Sequence, residues 1–329
     1  MAQLVDWRFA QSTAALLGKT GPNCSLDQAS EAVAQLRELA ALSAKHVCDV
    51  TELAQGIGGI GGMALPSARV VDRRDWVAIN AAGFQAVIEP VLLRHAASGP
   101  ISTRARVVTS AATGVQLGAV LGFVSSRVLG QYETFSTSPG QLLLVAPNIM
   151  AAEQKLDVDS RDFRLWVCLH EVTHQVQFTM VPWLRGYFMS ELEALLELRS
   201  PLDLLRSPAS RARLANLTAL MTLLEGHAEY VMDAVGPNIV ASVAQIRAKF
   251  DARRRAGNPV QRLLRYVLGI EHKLRQYVEG KRFVTEVVNA VGMSGFNVVW
   301  RDPDALPSRA ELAQPLAWLN RVQPAGVAG

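Results

Sequence analysis

The 329-residue sequence predicts a mainly α-helical protein of α+β type, with many helices and one small β-sheet. Three observations lead there. Long stretches rich in Ala and Leu, interspersed with charges, carry their apolar residues at helical spacing. Strand-like apolar runs are short and few, at Val70-Val71 and Leu142–Ala146. Half of the residues are hydrophobic and 19% are charged, so the chain can bury a large core and is not largely disordered.

The elements follow in order. Residues 28–55 form a helix, and the loop Gly56–Gly62 follows it. That loop resembles a phosphate cradle only superficially, because no strand precedes it and no Gly-Lys-Ser/Thr closes it. Val70-Val71 is a short strand, and a helix runs from Arg74 to Ala97, before Gly99-Pro100. Val107–Ser126 is uncharged and carries Gly114, Gly118 and Gly122 at the spacing used by paired membrane helices. Six Ser, Thr and Gln residues dilute it, whereas an isolated span needs near-continuous Leu, Ile and Val. The expectation is a central helix packed closely through its small residues, and no membrane span. Leu142–Ala146, between Gly140 and Pro147-Asn148, is a strand. Two helices from Pro259 to about Val291, a Gly-rich turn and a last helix over 308–321 complete the chain.

His170-Glu171-Val172-Thr173-His174 is the most informative stretch. Asp159 or Ser160 can cap a helix whose first turn holds Asp162. Phe163, Trp166 and Val167 precede His170 at helical spacing, and Pro182 predicts closure near Phe178. Residues four apart share a helix face, so both imidazoles can reach one metal ion, with Glu171 beside its open position. The competing reading is two hydrogen-bonded histidines on a helix face. A buried helix with these polar groups at mid-length needs partners for them, and a metal supplies those.

A catalytic zinc site takes three protein ligands and leaves the fourth position open. Ser207-Pro208 marks a helix start and Gly236-Pro237 its stop. Within that helix Glu225 and Glu229 lie one turn apart. Glu225 is assigned as the third ligand, and Glu229 as the carboxylate that accepts the free N–H of a ligating histidine. His227 competes for the ligand role, but it projects about 200° around the helix from Glu225. A solvated polar stripe is the alternative, and the apolar flanks Leu220, Met221, Leu223, Leu224, Val231 and Met232 argue against it.

With these residues in place, the sequence resembles the gluzincin branch of the zinc metallopeptidases. More closely, it resembles a bacterial family of zincin-like metallopeptidases often described as associated with deazaflavin coenzyme biosynthesis. Phe163 to Phe178, Leu224 to Asp233 and Lys273 to Tyr277 carry the resemblance, which runs from about Asp72 to Val322. It implies His170, His174 and Glu225 as zinc ligands and Glu171 as general base. Glu229 departs from it, since aspartate is usual there. The layout also implies a strand bordering the active-site cleft, whose edge can pair with an extended peptide. Residues 1–70 are then an N-terminal helical region and 71–329 the zincin-like domain, or the two form one continuous domain.

The implied reaction is hydrolysis of a peptide or protein, with Glu171 taking a proton from water activated by zinc. A second donor to the developing oxyanion is expected from Tyr230, His227, Arg275 or Tyr277, with His227 and Tyr277 ranked first. The other function class is a weakly active or inactive zincin serving as a zinc-stabilised protein-binding module; the retention of Glu171 favours the enzyme. Gly292-Met293-Ser294-Gly295 lacks the spacing of a serine nucleophile elbow. A closed structural zinc site would need a fourth ligand, which no placed cysteine provides.

The formal net charge is +4. The cluster Arg247, Lys249, Arg253, Arg254 and Arg255 is interrupted by apolar residues and runs into Gly257-Asn258-Pro259, so it predicts a helix surface and turn, not a nucleic-acid site. Cys24, Cys48 and Cys168 are an odd set without paired spacing, which suits reduced thiols. Met1 to Arg8 carries early charges and no long apolar stretch, so a cytoplasmic protein without a signal peptide is expected.

Overall fold

The computed structural model describes residues 5–18, 20–56, 65–96, 103–135, 140–198, 203, 206–255 and 270–322. The fold is mainly α, with a three-stranded sheet among the described residues. Contacts divide the chain into two compact units, Met1–Leu39 with Pro66–Lys155 and Ala40–Leu65 with Leu156–Gly329. Neither is contiguous in sequence, and the division differs from a boundary at residues 70 and 71.

In the first unit, α1 (Trp7–Leu17) starts at Asp6, whose carboxylate accepts from the backbone N–H groups of Arg8 and Phe9. The helix α2 (Leu26–Thr51) belongs to this unit up to Leu39 and to the second from Ala40. It ends earlier than the sequence predicts, because Glu52 takes a left-handed φ of 55° before the short α3 (Leu53–Gly56). The glycine loop beyond it lies mostly outside the described residues. After β1 (Arg69–Val71), the helices α4 (Arg73–Ala96) and α5 (Thr103–Ser125) lead to β2 (Gly130–Glu133), β3 (Gln141–Val145) and α6 (Ala146–Leu156). The sheet order is β1-β3-β2, with β1 parallel and β2 antiparallel to β3. Strand β3 is buried from Leu142 to Val145, as a central strand must be. Arg69 pairs with Leu143 and Gly130 with Leu144.

The three glycines of α5 form the seam against α1. A Cβ on Gly114 would lie 2.4 Å from the Asp6 carbonyl oxygen, and one on Gly118 would lie 2.4 Å from that of Ala10. Gly122 faces Ala14 in the same way. Close backbone approach within the protein thus accounts for the G-x-x-x-G spacing. By length and composition, the helix among the described residues that is apolar enough to cross a membrane is a different one, Arg73–Arg94.

The second unit is built on α7 (Ser160–Met180), α8 (Leu184–Leu196), α9 (Pro208–Ala234), α10 (Val243–Arg255) and α11 (Ile270–Phe296). From Ile270 the helix runs to Val291, the predicted end, where Gly292 takes the non-helical φ 74°, and a further helical turn follows to Phe296; residues 256–269 lie outside the described residues. The helix predicted over 308–321 is two, α12 (Arg309–Ala313) and α13 (Pro315–Val322). Pro315 disfavours a helical Gln314, which sits at φ −134°. Phe283, Phe296, Trp300 and Trp318 are fully buried and anchor this core.

Candidate metal centre

The motif helix α7 begins where the sequence predicts. Asp159 accepts from the Asp162 N–H at 2.8 Å, and the Asp162 carboxylate receives the N–H and hydroxyl of Ser242, each at 2.7 Å. Leu165, Val167, Cys168, Leu169, Val172 and Val176 are all buried, so α7 is enclosed on most sides and its polar groups must be satisfied internally. The helix α9 starts on Ser207, whose hydroxyl accepts from the Ser210 N–H at 3.2 Å, and Pro208 fills the first turn. It runs past Glu225 to Ala234, and Gly236 follows at φ 70°.

Packing of α9 against α11 is closest at two glycines. A Cβ on Gly226 would lie 2.1 Å from the Gly280 carbonyl carbon, and one on Gly280 would lie 2.0 Å from the Thr222 carbonyl oxygen. This crossing sits one residue beyond Glu225 and fixes the height at which that carboxylate is presented.

The structure brings His170, His174 and Glu225 together. The two Nε2 atoms are 3.3 Å apart, and Glu225 Oε2 lies 3.4 Å from His170 Nε2 and 3.7 Å from His174 Nε2. Ligands held tetrahedrally at about 2.0–2.2 Å from zinc lie roughly 3.3–3.6 Å from one another. Two imidazole nitrogens and one carboxylate oxygen are also the donor set of a catalytic zinc site. Both tests are met. The His170 and His174 side chains remain 19% and 16% exposed, so solvent reaches the group, while Glu225 is 8% exposed.

The electrostatics of the metal-free group follow from this closeness. Burial disfavours a charged His170, but its hydrogen bond to Glu225 and the negative charges of Glu171, Glu225 and Glu229 outweigh that and raise its pKa to about 9. Burial likewise pushes the Glu225 carboxyl up, and hydrogen bonds from His170 and His174, with their charges, hold it well below the ordinary carboxylate range. The raised His170 value contributes stability to the metal-free chain that is complete below pH 6.5 and is lost as pH rises through about 9. Zinc needs the unprotonated ring and must displace this proton. Zinc affinity, measured by chelator competition, is therefore expected to rise about tenfold per pH unit up to about pH 9 and then to level off. A flat profile between pH 6.5 and 9 would show that the surrounding carboxylates do not hold His170 protonated over that range.

Other residues singled out from the sequence fall in different places. Glu171, beside the group, is buried, and its charge acts on His170. Glu229 does not take a histidine N–H among the described contacts. Its carboxylate accepts from Arg247 Nη1 at 2.9 Å, and Arg247 also pairs with Asp233, which Lys281 contacts as well. The expectation for Glu229 is corrected accordingly: a guanidinium from α10 holds it, and it acts on His170 through its charge. His227 is corrected too. It is 0% exposed, its ring centroid lies 5.2 Å from that of Phe296 and 5.6 Å from that of Trp300, and its pKa is pushed down to about 3 by burial and the charge of His174. A neutral, enclosed ring has no face to offer a substrate oxyanion. Tyr230 is partly buried. Tyr277 and Arg275 belong to the backbone of α11, but their side chains lie outside the described residues. Cys168 is fully buried, and burial raises its thiol pKa, as befits a core residue.

Sequence reasoning missed two contacts to the histidines. His174 Nδ1 lies 2.9 Å from Gln177 Oε1, and His170 Nδ1 lies 3.3 Å from Met232 Sδ. Gln177 was visible in principle, since it stands three residues after His174 on the same helix face.

A solved structure from Chloroflexus aurantiacus, described as a candidate hydrolase with a novel fold, is similar to this chain with a TM-score of 0.75. The two share 32% identity, and the match covers 98% of this chain and 100% of that one. The search of curated proteins found no match. The profile of the zincin-like metallopeptidases matches residues 5–201 and 197–319, which takes in α7 and α9 with all three candidate ligands; the chain belongs to that family.

Proposed function

We propose that the protein is a zinc-dependent peptidase that hydrolyses a peptide or protein substrate, with His170, His174 and Glu225 holding the metal and Glu171 as general base. The family implies a hydrolase that uses a metal, typically zinc. The observation that carries the reading is the spacing of three donor atoms, 3.3, 3.4 and 3.7 Å apart and close to the edge of a tetrahedral zinc site. When bound, zinc lowers the pKa of water and polarises a carbonyl oxygen. Glu171, next to His170 on α7, has the chemistry to accept a proton from the attacking water and to deliver it to the leaving amine. Glu171 is buried, and the lower local dielectric strengthens its charge interactions there.

The test uses the full chain beside a Glu171→Gln variant, both analysed for metal and incubated with a mixed peptide library read by mass spectrometry. Stoichiometric zinc in both proteins is expected, with cleavage reduced about 10²–10⁴-fold in the variant. Equal cleavage by the two proteins would remove Glu171 from the reaction. Zinc in both without cleavage by either would favour a zinc-stabilised binding module.

A further inference from the structure

Gln177 joins the two helices that carry the candidate ligands. Its side chain is fully buried, and three groups surround its amide. His174 Nδ1 is 2.9 Å from Oε1, the Leu224 carbonyl oxygen is 3.1 Å from Nε2, and His227 Nδ1 is 3.0 Å from Nε2. The Leu224 carbonyl can only accept, so the amide nitrogen must face it, and the reverse orientation would set two acceptors against each other. That one fixed point settles the remaining hydrogens. Gln177 Oε1 can only accept, so His174 carries its hydrogen on Nδ1 and donates it. The second amide hydrogen goes to His227 Nδ1, which must therefore be bare, and the His227 hydrogen resides on Nε2. Both amide hydrogens and the amide oxygen then have a partner, while the buried Nε2–H of His227 has no hydrogen-bond acceptor among the described residues.

The geometry points to Gln177 as a positioning residue that locks His174 in the Nδ1–H tautomer, with His227 as the buried acceptor that locks Gln177. In the neutral ring the lone pair of His174 is thereby left on Nε2, on the side of His170 and Glu225; only the doubly protonated ring can also donate from Nε2 to Glu225. A ligating histidine usually gives its free N–H to a carboxylate, a backbone carbonyl or water. Here a neutral amide takes that place, and Glu229, the carboxylate that the spacing suggests, is engaged by Arg247. The same amide binds the carbonyl of Leu224, the residue before Glu225, and so ties the register of α9 to the orientation of the His174 ring. The inference rests on the metal-centre reading for its purpose, though not for the tautomer itself.

The experiment is two-bond ¹H–¹⁵N NMR of the histidine rings in the metal-free full chain, with zinc affinity measured by chelator competition. The variants are Gln177→Met, which keeps length and volume, and Gln177→Glu, which keeps an acceptor for His174. Wild-type His174 is expected in the Nδ1–H form. Gln177→Met is expected to move it towards Nε2–H and to weaken zinc binding about 10–100-fold, with circular dichroism unchanged. Gln177→Glu should retain the Nδ1–H form, because it keeps the acceptor for His174 even as it loses the hydrogens given to Leu224 and His227. An Nε2–H signal for wild-type His174 would overturn the inference without any variant, so a misfolded variant does not rescue it. Unchanged tautomer and affinity in Gln177→Met would also overturn it. No zinc binding by the wild type would instead sink the metal-centre reading, while the tautomer measurement would stand on its own.

Discussion

Replacing Glu225 by alanine is expected to abolish the stabilisation that zinc confers. A ligand that binds only the folded state adds RT ln(1 + [L]/Kd), about 4.1 kcal/mol at a thousandfold excess over Kd. At about 2–4 °C per kcal/mol for a unit of this size, the unfolding midpoint should rise by roughly ten degrees on adding zinc to the wild type. Glu225→Ala removes one of three donors, and its affinity loss should exceed the 10–100-fold typical of outer contacts. Calorimetry with zinc and with chelator separates the two proteins. The variant also takes from His170 its hydrogen-bonded carboxylate and leaves only the charges of Glu171 and Glu229, so the decline in stability of the metal-free protein between pH 6.5 and about 9 should become smaller. An undiminished zinc shift in the variant would exclude Glu225 as a ligand.

Gly226→Ala is expected to destabilise the second unit by about 3 kcal/mol, the upper end of what overpacking costs. The added methyl group would meet the Gly280 carbonyl carbon at 2.1 Å and its Cα at 2.4 Å, and backbone atoms have no rotamer by which to yield. The helices α9 and α11 must separate, and because Glu225 adjoins the crossing, zinc affinity should fall with stability. Gly186→Ala in α8 is the control. No atom lies within 4 Å of its added Cβ, so helix propensity alone should act, in the stabilising direction, by up to about 1 kcal/mol. Chemical denaturation of the two variants, read beside metal affinity, checks both expectations. Equal stability of Gly226→Ala and wild type would show that the crossing is loose.

What was legible in the sequence was what depends on spacing within one element. His170, Glu171 and His174 share a helix, so their convergence follows from helical geometry. The caps at Asp159 and Ser207 lie where the sequence places them, as does the stop at Gly236. Glu225 required one step more, the juxtaposition of two helices, and the apolar flanks of α9 carried it. The roles given to Glu229 and His227 failed where the deciding partner is distant in sequence. Arg247 reaches Glu229 from α10, and Phe296 and Trp300 enclose His227 from beyond it. No pattern local to Glu225–Asp233 announces either. The glycines of α5 predicted close packing but not the partner, because α1 is short and its seam is made of backbone atoms. Strand β2 is short and polar at Gln131 and Glu133, which hides the alternation that marks a strand.

The interleaving of the two units bears on how the polypeptide acquires its shape. Emerging from the ribosome, the chain starts the first core with Val5 and Trp7, commits residues 40–65 to the other body, and completes the first only when Leu143 and Val145 arrive. A fragment cut to start at residue 71 would strip Trp7 and Ala14 from one interior and Leu53 from the other. Both units therefore draw core residues from the first seventy or so positions, and a fragment trimmed to residue 71 is expected to be destabilised.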